Sequence, residues 1–90
     1  MNTGIELELI TRQGCHLCDE ASDVLAGVIS RFSAEHPTVS YKIETIDIDQ
    51  DPELLAKYSD EVPVLLLNSQ QIAFLRLDAE RVYARLEAMT

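Results

Sequence analysis

Cys15-His16-Leu17-Cys18 places both cysteines of the chain two residues apart. A strand-like segment hands over to a helix-like one at that point, and a CxxC in that setting reads as a redox pair. The segment before it, Ile5-Glu6-Leu7-Glu8-Leu9, alternates with period two and predicts a strand with one apolar face. Thr11-Arg12-Gln13-Gly14 forms the loop. From Cys15 to about Phe32 the residues Leu17, Ala21, Val24, Leu25, Val28, Ile29 and Phe32 recur at helical spacing. Asp19 and Glu20 in the first turn suit the positive end of a helix dipole, and His36-Pro37 closes the unit.

The rest of the chain continues the alternation of strand and helix. A second strand is expected from Val39 to about Ile48. Val39, Tyr41 and Ile43 hold one phase and Ile46 and Ile48 the other, which suggests a bulge or a passage into a fully buried stretch. Asp51-Pro52 supplies an N-cap and a first-turn proline for a helix whose apolar face is Leu54, Leu55 and Tyr58. Val64-Leu65-Leu66-Leu67 is continuously apolar, as a central strand covered on both faces would be. Asn68-Ser69 offers turn residues, and Ile72 to Leu77 reads as the returning strand. Asp78 caps a last helix with Val82, Tyr83, Leu86 and Met89 on its inner face. The expected order is β-α-β-α-β-β-α: an α/β fold with a right-handed parallel crossover, a terminal hairpin and a four-stranded mixed sheet with helices on both faces.

Ninety residues suit one domain, taken here as 1–90. Sixteen acidic against seven basic residues give a net charge of −9, which argues against nucleic acid and anionic membranes as partners. No apolar run approaches the roughly 20 residues that span a bilayer. Met1-Asn2-Thr3-Gly4-Ile5-Glu6 lacks the basic and apolar regions of a signal peptide, so a cytoplasmic location is expected. In that reducing compartment a cysteine pair points to catalysis or metal binding more than to a structural staple. Nothing in the chain demands more than a monomer.

The element order, the CxxC at the first strand–helix junction and Val62-Pro63 before the third strand together resemble the thioredoxin fold in its glutaredoxin form. The segments Thr11-Arg12-Gln13-Gly14-Cys15-His16-Leu17-Cys18-Asp19-Glu20-Ala21, Asp47-Ile48-Asp49-Gln50-Asp51-Pro52-Glu53-Leu54 and Val62-Pro63-Val64-Leu65 are similar to the small bacterial glutaredoxin-like proteins. The resemblance covers nearly the whole chain. It implies a thiol–disulfide oxidoreductase, with a cis Pro63 beside the CxxC and the Val62 backbone free to pair with a peptide-like substrate. It also implies candidate glutathione contacts at Arg12, Lys57 and Asp78. The departures bear on the substrate. His16-Leu17 replaces the common Pro-Tyr pair, Glu61 replaces a threonine, and Leu75-Arg76 stands where a Gly-Gly pair holds glutathione's γ-glutamyl end.

The chemistry assigns roles to the two thiols. Cys15, at the helix N-terminus, meets unpaired backbone N–H groups that favour a thiolate and is the expected nucleophile. Cys18, one turn on, is the expected resolving thiol. Arg12 and protonated His16 add positive charge near Cys15, while Asp19 and Glu20 oppose it. The partners expected are a disulfide-containing protein or small thiol as substrate, and glutathione or a thioredoxin-type protein as reductant. No cofactor is required. The alternative is a non-enzymatic module that keeps the fold and uses the CxxC for metal or partner binding. One CxxC is only half of a four-ligand zinc set, and no metal ligand is assigned. The Asp47, Asp49, Asp51, Glu53 series lacks the glycine and distal glutamate of a calcium loop and reads as solvated carboxylates and a helix cap.

Overall fold

A computed structural model describes residues 4–90. Met1, Asn2 and Thr3, on which part of the leader expectation falls, lie outside the described residues. The elements are β1 (Ile5–Thr11), α1 (His16–Glu35), β2 (Tyr41–Asp47), a 3-10 turn (Ile48–Gln50), α2 (Pro52–Tyr58), β3 (Val64–Leu67), β4 (Gln70–Phe74) and α3 (Ala79–Glu87). The sheet order is β2-β1-β3-β4, with β1 parallel to β2 and antiparallel to β3, and β3 antiparallel to β4.

Two cores sit on opposite faces of this sheet. Ile5, Leu7 and Leu9 of β1 and Leu65 and Leu67 of β3 face α1 and α3, meeting Leu25, Val28, Phe32, Val82 and Leu86. Ile10, Val64 and Leu66 face the other way, where Ile48 and Tyr58 close a smaller cluster with Leu54 and Leu55 of α2. The four apolar residues of β3 are thus divided between the faces by the pleat, and all are buried. At the far end of α1 the Arg31 guanidinium stacks on the Tyr83 ring at 3.8 Å and pairs with Glu80 at 3.2 Å. The Tyr83 hydroxyl donates to Glu35, which ties α3 to the last turn of α1.

The structure corrects three expectations. β2 carries no bulge: its register with β1 runs unbroken from Ile5↔Tyr41 to Thr11↔Asp47. The phase change arises within the unbroken strand, where Ile46 lies beside Ile10 on the opposite face. The chain then leaves the strand at Ile48, buried in a 3-10 turn whose cap, Asp47, accepts from the Asp49 N–H at 3.0 Å. The register shift lies instead between β3 and β4, at Leu65/Leu66. β4 ends at Phe74, not Leu77, because Leu75 takes φ of +63° and turns out of the ladder. Met89 lies past the end of α3 and is 42% exposed, so it is no part of the inner face.

Local chemistry accounts for the remaining boundaries. Asn68 and Ser69 have φ of +49° and +69°, the left-handed pair that a tight two-residue hairpin needs. The Asn68 side chain also accepts from the Glu6 N–H at 2.7 Å, fixing the hairpin to β1. Asp51 caps α2 by accepting from the N–H groups of Glu53 and Leu54, at 3.0 and 3.2 Å. Asp51→Ala should therefore lower stability by about 1 kcal/mol. In urea unfolding this reads as a lower midpoint at unchanged slope; an unmoved midpoint would show that the cap contributes nothing.

Candidate active site

β1 ends at Thr11, and four residues later α1 begins with Cys15 as its N-cap. Extended backbone at Cys15 (φ −95°, ψ 111°) turns its side chain back over the first turn, where Sγ accepts from the Cys18 N–H at 3.1 Å. A sulfur in this position takes the place of the oxygen acceptor that usually caps a helix, on the end whose free N–H groups and dipole favour negative charge. Cys15 and Cys18 are joined by a disulfide, with Cα atoms 5.2 Å apart. Cys18 is only 4% exposed, whereas Cys15 is partly open to solvent.

Ahead of β3, the Val62–Pro63 peptide bond is cis. The Pro63 carbonyl accepts from the Leu75 N–H at 2.8 Å, and the Glu61 carbonyl receives the same N–H at 3.2 Å. The loop before β3 and the turn after β4 are therefore fastened together. In that turn the Arg76 N–H reaches the Phe74 carbonyl at 2.7 Å, across the left-handed Leu75. A shallow groove between this turn and α1 is lined by Leu17, Ala21, Val24, Leu75 and Leu77, with Glu20 and Arg76 at its rim.

The expected site residues separate into groups. His16 is turned along the helix to Glu20, Nε2 to Oε2 3.1 Å, and its side chain is 87% exposed. Arg76 reaches the other oxygen of Glu20 at 3.4 Å. One carboxylate, Glu20, thus contacts both His16 and Arg76. Arg12 is engaged elsewhere: its guanidinium lies 3.5 Å from Asp49 and donates to the Ser59 carbonyl at 3.4 Å, bracing the β1–α1 loop against α2. Lys57 sits on the last turn of α2, with Nζ 5.3 Å from the centroid of the Tyr58 ring. Asp78 spends one carboxylate oxygen on the N–H groups of Glu80 and Arg81, capping α3. Glu20 was legible only as a first-turn acid; its spacing of four from His16 is the signal for the pairing. Its tie to Arg76 depends on the fold. Among the described residues no three His, Cys, Asp or Glu side chains are grouped to hold a metal ion.

A buried-and-open cysteine pair at the cap of the first helix, against a four-stranded mixed sheet, defines a thioredoxin-fold protein with a CxxC site. Solved structures agree. An X. campestris structural-genomics target protein is 32% identical, with a TM-score of 0.69 over 91% of this chain and 96% of that one. Chloroplastic thioredoxin z, at 14% identity and a TM-score of 0.71 over 96% of this chain and 78% of its own, shares the fold. In sequence, a Dictyostelium discoideum protein named "Glutaredoxin-like protein YDR286C homolog" is 30% identical over 87 residues, covering 94% of this chain and 78% of that protein. An uncharacterized Mycobacterium tuberculosis protein is 29% identical over 90 residues, covering 94% of this chain and 86% of its own. The family model Glutaredoxin-like domain (DUF836) matches residues 6–87, and the chain belongs to that family.

Leu75 has a backbone conformation that costs a residue with a Cβ roughly 1–2 kcal/mol and glycine almost nothing. Leu75→Gly and Leu75→Ala remove the same side-chain contacts but differ in this cost. The glycine variant should be the more stable by about 1 kcal/mol, the reverse of the order in a helix or strand interior. Denaturation midpoints of the two variants test this, and an alanine variant of equal or greater stability would refute it.

Proposed function

We propose that this protein is a thiol–disulfide oxidoreductase in which Cys15 is the nucleophile and Cys18 the resolving thiol. The observation that carries the reading is the asymmetry of the pair: Cys15 is partly open at the cap of α1, and Cys18 is sealed behind it. In the reduced protein the Cys18 N–H and the helix dipole would stabilise a Cys15 thiolate. That thiolate attacks one sulfur of a substrate disulfide. A Cys15–substrate bond forms, the substrate S–S bond breaks, and the departing thiolate takes up a proton from water. Deprotonated Cys18 then attacks Cys15 Sγ, closing the Cys15–Cys18 disulfide and releasing the second substrate thiol. Two electrons have passed from the dithiol to the substrate, and an external thiol returns them.

Glutathione or a thioredoxin-type protein would be that reductant, in a cytoplasmic setting and with no cofactor. We place a protein-like substrate ahead of glutathione because two of the three candidate glutathione contacts, though not Lys57, are already engaged. Arg12 and Asp78 are engaged in structural contacts, and Leu75-Arg76 occupies the turn after β4. The Val62 backbone, ahead of β3, is the proposed docking edge for an extended substrate segment.

Equilibration in defined glutathione redox buffers, followed by alkylation and mass measurement, tests the proposal. A Cys15–Cys18 disulfide that forms reversibly at a defined potential supports it. A glutathione adduct on Cys15 would name glutathione as the reductant, and its absence would point to a thioredoxin-type donor. If the folded protein forms neither, the oxidoreductase reading fails and a non-enzymatic binding module takes its place. Cys18→Ser should trap a mixed disulfide on Cys15, and Cys15→Ser should trap none. Equal trapping by both variants would reverse or remove the assigned roles.

A further inference from the structure

β2 lies at the edge of the sheet, and its residues from Tyr41 to Thr45 are all exposed. Tyr41 and Ile43, at 40% and 39%, are among the large apolar residues most open to solvent. Which backbone groups face outward follows from two contacts. The Ile5 N–H donates to the Ser40 carbonyl at 3.1 Å, and the Thr11 hydroxyl donates to the Ile46 carbonyl at 3.5 Å. Ser40 and Ile46 thus point their carbonyls toward β1, and by the alternation of a strand so do Lys42 and Glu44. The N–H and C=O groups of Tyr41, Ile43 and Thr45 point away from the sheet, a row open to another strand.

We propose that this edge pairs antiparallel with β2 of a second copy, about a two-fold axis at Ile43. Ile43 then faces Ile43 of the partner as a hydrogen-bonded pair, and Tyr41 faces the partner's Thr45 in the same way. Between them, Lys42 stands opposite the partner's Glu44 in non-hydrogen-bonded pairs, where opposed side chains come closest. Symmetry makes two such Lys–Glu pairs. This register is selected by charge across the interface: moving the axis by two residues sets Lys42 against Ser40 or Ile48 and leaves it only its in-sheet neighbour Glu6. On the other face, Tyr41 and Ile43 of the two copies form one apolar strip. It continues the groove between β2 and α1 that Leu9, Leu25 and Ala26 line.

A lysine on an edge strand usually discourages pairing. Here it is offset from a glutamate by the two residues that make the edge complementary to itself. The opposite edge, β4, is interrupted by the register shift against β3 and by the left-handed Leu75, and presents no such pattern. One strand pair buries less than a permanent dimer requires, so the association is weak and reversible. The two-fold axis sends the CxxC ends of the two sheets in opposite directions and leaves both disulfides accessible. The inference does not depend on the redox reading.

Sedimentation of the intact protein at about 150 mM salt, up to about 1 mM chain, tests it. A monomer–dimer equilibrium is expected, with Kd between about 10 and 500 µM. Lys42→Glu and Glu44→Lys each set like charges opposite one another in the dimer and should each raise Kd at least about tenfold. They change the net charge in opposite directions, so a general charge effect would move them apart. An equimolar mixture of the two variants restores both Lys–Glu pairs and should associate within about threefold of the original protein, as should the double variant. A chain that stays monomeric at 1 mM overturns the proposal. So do single variants that associate like the parent, or a mixture that stays monomeric.

Discussion

Burial of β1, along its length on one face and at Ile10 on the other, is the constraint from which the site follows. Leu7 and Leu9 face α1 and α3, and Ile10 faces α2, so the strand cannot slip by one residue without exchanging its two cores. With β1 held in register against β2 and β3, its last residue has a fixed place at the end of the sheet. The four-residue loop that follows leaves the first turn of α1 little freedom. Ala21, Leu25, Val28 and Phe32 lock the helix rotation against the same core. Cys15 is therefore aimed by hydrophobic packing along the whole length of α1, more than by any contact of its own.

Chemistry near the sulfurs is a contest between the helix end and nearby carboxylates. Asp19 and Glu20 stand in the first two turns, on a chain of net charge −9. Glu20 spends its charge on His16 and Arg76, at 3.1 and 3.4 Å. These are exposed pairs, each worth at most about 1 kcal/mol, so they bias geometry more than stability. Their effect is to lay His16 along the helix beside Glu20.

Much of this was legible from residue order. The element sequence, both aspartate caps of the later helices, the hairpin at Asn68-Ser69 and the position of the CxxC all rest on local signals: periodicity, cap chemistry and turn preference. What was not legible depends on contacts distant in the chain. Ile48 continues an apolar strand pattern, yet it is drawn into a 3-10 turn because the second core needs a lid beside Ile10 and Tyr58. Leu75 lies in an apolar run that reads as strand, and nothing local forecasts a positive φ there. Its N–H is taken by the Pro63 and Glu61 carbonyls, which bend the chain away. Arg12 shows the same limit. A basic residue before a CxxC suggests thiolate tuning, but Asp49 and the Ser59 carbonyl claim it.

The unequal exposure of the two cysteines also sets an order of events. With Cys18 sealed to 4% and Cys15 partly open, an incoming sulfur has one doorway. On the proposed function, donor and acceptor would both have to use it, so the two could not be engaged at once and each would depart before the other arrives. If the proposed redox reading holds, the protein would work in alternating single-file exchanges. Two partners that compete for the same doorway would slow one another even if their binding surfaces had nothing else in common.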